Sequence, residues 1–207
     1  MKLIMLGKEV FLKKTFNQKI LKLLFVFIVF SWPIKSEENK YLKDASTYLD
    51  NLNEFSSSFL QIQNNEVSKG LIFLKGKRLR IEYTSPSNII FVLKKNKVMY
   101  FNVELQEVQY FNPKNTIGQF FIDLFNKKNF LLNSQILSGK GYFKILKQIE
   151  FENEKHQVEI YFEEKPLELR KLQIINNDGI TSFTILNPNF NPNLNNKIFS
   201  LANPLLS

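Results

Sequence analysis

The stretch GLIFLKGKRLRIEY, residues 70–83, decides the fold class. Its second half alternates without a break. Leu79, Ile81 and Tyr83 fall on one side and Arg78, Arg80 and Glu82 on the other, the period of two that belongs to a β-strand. Its first half, residues 70–75, is a second short strand. Further strands surround this pair. Residues 55–63 precede it, and the apolar run IIFVL at 89–93 follows, with a polar KKNK turn leading into 98–103. Beyond these lie strands at 142–149, 157–163, 169–176 and 180–186, the last two joined by the hairpin turn Asn177-Asp178-Gly179. After an Asn/Pro loop at 187–196, the spacing predicts one more short strand over 197–201. Residues 130–137 fit a strand or a helix equally well.

Two segments break the β pattern. Tyr41, Leu42, Ala45, Tyr48, Leu49 and Leu52 are spaced by threes and fours, which predicts an amphipathic helix over 38–53. Ile117, Phe120, Phe121, Leu124 and Phe125 do the same and predict a second over 116–126, with a large aromatic face. Strands and helices do not alternate as βαβ units, so a parallel α/β fold is not expected. The chain reads as mainly β (α+β), an antiparallel sheet that curls around something.

The 207 residues carry a formal charge of +9, which by itself suggests an acidic partner. The position of the charges removes that suggestion. Residues 1–36 hold seven Lys and one Glu, with an apolar stretch at 23–34, and read as a cleaved secretory signal peptide. The apolar stretch is short against the ~20 residues of a transmembrane helix, and Ser31 and Pro33 interrupt it. The remainder, 37–207, keeps 21 basic and 18 acidic residues and reads as one domain. No nucleic-acid partner is expected from so modest an excess, since Glu82 shares the face of Arg78 and Arg80. An exported chain without Cys fits a bacterial periplasm better than a disulfide-rich exterior.

The absence of Cys excludes disulfide scaffolds, thiolate metal sites and thiol catalysis. The single His156 excludes a multi-His metal site, and its charged surroundings (ENEKHQ) read as a surface loop. No nucleophile elbow, phosphate loop, dinucleotide fingerprint or zinc-protease motif occurs. The acidic groups at Glu150, Glu152, Glu154, Glu163 and Glu164 read as solvated strand ends. The chain is therefore expected not to be an enzyme, and no cofactor is expected. One excess does require explanation. Sixteen of the 21 Phe and all seven Tyr lie after residue 36, and GLIFL and IIFVL are apolar on both faces, whereas a sheet with one wet face alternates. A large ordinary core, a sheet packed by helices, and a concave lipid-binding face each account for it.

The run Gly70-x-Ile72-x-Leu74-Lys75-Gly76-x-x-Leu79-Arg80-Ile81-Glu82-Tyr83-x-x-Pro86 resembles the signature of the LolA family, periplasmic carriers of outer-membrane lipoproteins. Phe59-Leu60-Gln61 before it, Lys97-Val98-Met99-Tyr100-Phe101-Asn102 after it, Pro166-Leu167-Glu168-Leu169, Asp178-Gly179, and Phe199 to Pro204 keep the family's order. The resemblance implies an incomplete, strongly curved antiparallel β-barrel with helices covering the open side of an apolar cavity. By the same resemblance, the cavity face would hold Leu79, Ile81 and Tyr83, continued backward to Leu71 and Phe73, with Phe91, Met99 and Phe101 from the next strands. Ile117, Phe120, Phe121 and Leu124 would form the lid. Lys75 stands where the family has a gating Arg, and Lys75-Gly76 replaces the family's Arg-Pro. Lys lacks the planar fork of Arg, so a clamp there would be weaker. The implied partners are acylated lipoproteins, an inner-membrane ATP-driven lipoprotein-releasing transporter and an outer-membrane receptor lipoprotein. The protein would act as a monomer in the periplasm of a Gram-negative bacterium. A general periplasmic lipid or glycolipid carrier and an envelope-stress sensor of the same fold are the alternatives.

Overall fold

The structure, a computed structural model, describes residues 35–114, 116–151 and 153–206. The chain divides into two units, residues 1–37 and 38–207. Most of the segment read as a signal peptide, residues 1–34, lies outside the described residues. No helix among the described residues is long and apolar enough to cross a membrane. All described strands belong to the second unit and form one antiparallel sheet of eleven: β1 (Glu54–Gln63), β2 (Glu66–Lys75), β3 (Arg78–Ser85), β4 (Ile89–Lys94), β5 (Lys97–Asn102), β6 (Glu107–Phe111), β7 (Gln135–Gly139), β8 (Tyr142–Phe151), β9 (Glu154–Glu164), β10 (Leu167–Asn176) and β11 (Gly179–Asn189). Two helices, α1 (Lys35–Asn51) and α2 (Ile117–Asn126), complete it.

The strand order is β6-β5-β4-β3-β2-β1-β11-β10-β9-β8-β7. Tight antiparallel hairpins generate most of it, and β1 pairs with β11 to join the two halves. The two edges, β6 and β7, do not pair with each other, so the sheet is an open half-barrel rather than a closed one. These edge strands are consecutive in the chain. The segment between them, which includes α2, therefore runs from one edge of the sheet to the other and spans its mouth.

The concave face is apolar because every second residue of each strand points there. In β9, His156, Val158, Ile160 and Phe162 are buried, while Gln157, Tyr161 and Glu163 are only partly covered. Phe143, Ile145, Leu172 and Ile185 complete this side from the neighbouring strands. Helix α1 closes its carboxyl-terminal half: Ala45 and Leu49 are buried, Tyr41 stacks on Phe143 at 4.5 Å and Tyr48 meets Phe162 edge-on at 5.7 Å. Gly70 belongs to the same face. A Cβ there would lie 2.6 Å from the Phe59 ring, so glycine lets that ring lie directly over β2.

The convex face has its own core. Val92, Met99 and Phe199 are buried together, with Phe73, Ile90, Val108, Leu194, Ile198 and Leu201 packed around them. Leu194, Ile198, Phe199 and Leu201 come from the carboxyl-terminal segment, which crosses the back of β2–β6. Its carbonyls are held by side chains of the sheet. Lys75 Nζ donates to Leu194 O (2.6 Å), Arg80 Nη1 to Ile198 O (2.8 Å) and Tyr110 OH to Leu201 O (3.0 Å). Arg78 Nη2 donates to Asn196 Oδ1 (2.9 Å), and its guanidinium lies 5.0 Å from the centre of the Phe199 ring. The two-sided apolarity of GLIFL and IIFVL thus follows from burial on both faces.

The structure corrects or resolves four readings of local sequence. A strand at Glu107–Phe111 is present where none was expected, and the ambiguous 130–137 becomes turns followed by β7. The segment expected as a strand over 197–201 is a 3₁₀ turn, Asn196–Phe199. Asn195 caps it by accepting from the Lys197 N–H at 2.9 Å, and the segment lies on a face of the sheet, where no ladder partner exists. Finally, His156 is not in a surface loop. It is 2% exposed within β9, opposite Ile149, and its ring stacks on Phe151 at 3.6 Å.

Phe199 is the central anchor of the convex core. Replacing it with Ala should cost about 3–5 kcal/mol, the usual range for a fully buried aromatic side chain, read as a lowered urea midpoint. A loss below about 1 kcal/mol would show that the back-face cluster does not stabilise the sheet.

Candidate functional site

Between α2 and the concave side of the sheet lies a cavity of about 290 Å³. The sheet supplies Phe59, Ile72, Ile81, Tyr83, Phe91, Leu93, Val98, Phe111, Leu172, Phe183 and Ile185. The lid segment supplies Thr116, Ile117, Gly118, Phe121 and Phe125. Among the described residues, no acidic or basic side chain lines it. Aromatic rings form a continuous wall: Phe59 meets Tyr83 at 5.2 Å, Tyr83 meets Phe91 at 6.2 Å and Phe121 meets Phe183 at 5.4 Å, each near edge-to-face.

Local sequence explains α2. Thr116 is its N-cap: the hydroxyl accepts from the Gly118 N–H at 3.2 Å and donates to Pro113 O at 2.7 Å. The helix buries Phe120, Phe121 and Leu124, and Phe120 and Phe121 meet at 5.2 Å. Few polar bonds tie the lid segment to the sheet. Asn126 Nδ2 donates to Lys77 O at 3.5 Å, and Lys147 Nζ donates to Leu132 O at 3.1 Å while lying 5.3 Å from the centre of the Phe130 ring. Partial burial, and then the charge of Lys127, hold the Lys147 ammonium below the usual lysine range.

The residues singled out in the sequence divide into three groups. Ile81, Tyr83, Phe91, Ile117 and Phe121 line the cavity. Leu79, Phe120 and Leu124 are buried on the same side, in the core beneath it. Leu71, Phe73, Met99, Phe101 and Lys75 are on the opposite face. The reason is register. Lys75 pairs with Arg78 across the two-residue turn Gly76-Lys77, so Leu74 opposes Leu79 and Ile72 opposes Ile81. Directly opposed residues share a face, and the alternation therefore changes parity at the turn. Phe73 opposes Arg80, and Leu71 opposes Glu82. In the next hairpin Phe91 opposes Tyr100 while Met99 opposes Val92, which sends Met99 to the back. Phe101 opposes Ile90 and follows it there.

Lys75 consequently does not reach α2. Its ammonium lies 3.3 Å from Glu54 Oε1 and holds the Leu194 carbonyl. Glu54 also accepts from the Leu194 N–H, so this ion pair fastens the carboxyl-terminal segment rather than the lid. Four of the cavity residues missed in the sequence, Phe59, Leu172, Phe183 and Ile185, come from β1, β10 and β11, and Ile72, Leu93, Val98 and Phe111 come from β2 and β4–β6. Phe183 and Ile185 join Phe59 only because β1 pairs with β11, a strand from the far end of the chain. For Ile72 a signal was present, since counting the two-residue turn places it opposite Ile81.

Tyr83 has the most displaced ionisation in the site. Burial pushes its phenol up to about 12, and its hydroxyl donates to Gln61 Oε1 at 2.6 Å. Gln61 is the last residue of the Phe59-Leu60-Gln61 run and is half-exposed.

Known proteins resemble this chain in sequence profile and in fold. The sequence profile of the family described as outer membrane lipoprotein carrier protein LolA matches residues 50–202. No curated protein matches the chain. Among solved structures, an uncharacterized conserved protein from Thermus thermophilus superposes with a TM-score of 0.50 at 7% identity, covering 73% of this chain and 86% of that one. A domain provisionally assigned as an outer membrane lipoprotein-sorting protein, from Vibrio parahaemolyticus, superposes with a TM-score of 0.47 at 11% identity, covering 77% and 95%.

The Tyr83 shift has a consequence for stability. Its folded pKa lies above the ordinary value of about 10, so the unfolded chain loses this proton first. The contribution is therefore intact below about pH 10 and is lost as pH rises from about 10 to 12. In urea titrations across that window, the parent should lose up to about 1.4 kcal/mol per pH unit more than Tyr83→Phe. Parallel pH profiles for the two proteins would show that the Tyr83 phenol is not desolvated.

Proposed function

The chain belongs to the LolA family, and on that premise we propose that it is a periplasmic carrier that shields the acyl chains of lipoproteins and shuttles them from the inner to the outer membrane. The observation that carries this reading is a cavity lined almost wholly by aliphatic and aromatic side chains, with no charged group among the described residues, under a helix held to the sheet mainly by apolar contact. Such a surface has no arrangement of acid, base and nucleophile to offer, but it matches a hydrocarbon chain.

The need for a carrier is set by the cargo. Each buried methylene is worth roughly 0.8 kcal/mol, so exposing one ~16-carbon chain to water costs on the order of 12 kcal/mol. The cavity of about 290 Å³ is at the small end of ligand sites, which span about 300–1,000 Å³. Cargo with several chains therefore requires α2 to move away from the sheet. Release requires that binding be weaker here than at the next station, and a cavity without ionic anchors satisfies that. The donor would be an inner-membrane ATP-driven lipoprotein-releasing transporter and the acceptor an outer-membrane receptor lipoprotein.

Phe91 and Ile81 line the sheet wall and oppose each other directly across β3 and β4. Phe91→Glu and Ile81→Glu should each weaken binding of a synthetic triacylated lipopeptide at least about 100-fold, because the new carboxylate has no partner there. Fluorescence titration measures the affinity, and circular dichroism verifies that the variants are folded. Folded variants that bind like the parent would remove the cavity from the function. Native mass spectrometry of the protein purified from its host should show lipoprotein adducts; a protein that carries free lipids alone would point to a general lipid carrier.

A further inference from the structure

We propose that Tyr83, backed by Gln61, is a neutral hydrogen-bonding anchor at the mouth of the cavity. It would select acyl chains linked through an ester or amide over chains that end in an ionised carboxylate. This rests on the carrier reading and adds a specificity determinant to it.

Among the described lining residues, Thr116 and Tyr83 carry the only polar side-chain atoms. The Thr116 hydroxyl is committed to capping α2, with one bond donated to Pro113 O and one accepted from the Gly118 N–H. That leaves Tyr83. Its ring stands between Phe59 and Phe91, which fixes its position in the aromatic wall, and its hydroxyl points at Gln61. Gln61 is half-exposed, so the pair marks where the apolar interior meets water. The free amide of Gln61 has only a long contact, 3.4 Å, to Gln63 Oε1. The phenolic proton is held by Gln61 at 2.6 Å, so a ligand carbonyl must compete with that half-exposed oxygen for it. If the proton turns toward a ligand carbonyl, the Gln61 oxygen can be satisfied by solvent.

A chain whose tail fills the cavity brings its polar junction to this mouth. A neutral carbonyl needs one donor, and Tyr83 supplies it. An ionised carboxylate needs a cation or several donors to offset its desolvation. Among the described residues no Lys, Arg or His lines the cavity, and the phenol cannot supply a charge. The site therefore treats two chains of equal length differently according to their ends.

The test uses the full folded protein and the fluorescent probe N-phenyl-1-naphthylamine, displaced at pH 8 by methyl laurate, N-methyl lauramide or laurate below their aggregation concentrations. The parent should bind the ester and the amide at least about tenfold more tightly than laurate. Tyr83→Phe should lower affinity for the ester and amide about fivefold to tenfold, with each displacement corrected for the variant's own affinity for the probe, and should change laurate affinity less. Gln61→Leu, which leaves the phenol in place, should retain the preference for the ester over laurate. Laurate binding as tightly as the ester, or an unchanged ester affinity in Tyr83→Phe, would overturn the anchor while leaving the carrier reading intact. Failure of the parent to bind both probe and ester would overturn the carrier reading itself, and the anchor with it.

Discussion

The pairing of Lys75 with Arg78 across the Gly76-Lys77 turn fixes what the cavity is made of. Both turn residues adopt left-handed backbone angles, φ +52° and +67°, the geometry of a tight two-residue hairpin. From that pairing, Ile72, Leu74, Leu79, Ile81 and Tyr83 face inward, and Lys75, Arg78, Arg80 and Glu82 face outward. A slip of one residue in either strand would send that strand's charged set into the concave side. Each of the three cations has a partner waiting on the back. Lys75, Arg78 and Arg80 bind the carboxyl-terminal segment, and Arg80 also pairs with Glu82. The register that makes the cavity uncharged is the same register that holds the back of the sheet together.

The order of strands imposes the second constraint. Because β6 and β7 are neighbours in the chain but opposite edges of the sheet, the chain must return across the open side. A return through water would leave an apolar concave face exposed. The sequence there instead supplies a helix with Ile117, Phe120, Phe121, Leu124 and Phe125 on one side, and this helix becomes the roof. The half-barrel and its lid are thus consequences of one topological fact rather than separate inventions. The resemblance in the primary structure anticipated this arrangement, and the match over residues 50–202 agrees with it.

Local periodicity made the fold readable. The alternation in 79–83, the three-and-four spacing in α1 and α2, and the Asn-Asp-Gly turn each reflect backbone geometry within a few residues, so they could be taken from the chain directly. What was not readable depended on pairing between distant segments. Phe183 and Ile185 reach the cavity through β1–β11, and Phe199 reaches the back of β4 across a loop of Asn and Pro. His156 looked exposed because Glu154 and Lys155 precede it, yet its strand parity places it with Val158 and Ile160. Parity outweighs the charge of sequence neighbours, since those neighbours point the other way or lie at the strand's end. Leu71, Phe73, Met99 and Phe101 were assigned to the wrong side for the complementary reason: their apolar character is real, but it serves the second core.

That second core explains why the two halves of the sheet differ. In β8–β10 the convex face is wet and carries a polar network. Lys144 pairs with Glu159 at 2.9 Å, Tyr161 donates to Glu159 at 2.6 Å, and Gln157 donates to it at 3.1 Å. In β2–β6 the same face is covered by the carboxyl-terminal segment and is apolar. The wall of the cavity formed by Ile72, Ile81 and Phe91 is therefore packed from behind, by Phe73, Val92 and Met99 against Phe199, so each strand is braced on both sides. Among the described residues the roof shows no such bracing: α2 meets the sheet through ring contacts and one long bond from Asn126. Displacement of the roof breaks mainly contacts that a hydrocarbon chain can replace, whereas deformation of the wall would break two cores at once. The asymmetry directs any opening to α2, and it leaves Tyr83, anchored in the rigid wall, as a fixed point for whatever enters.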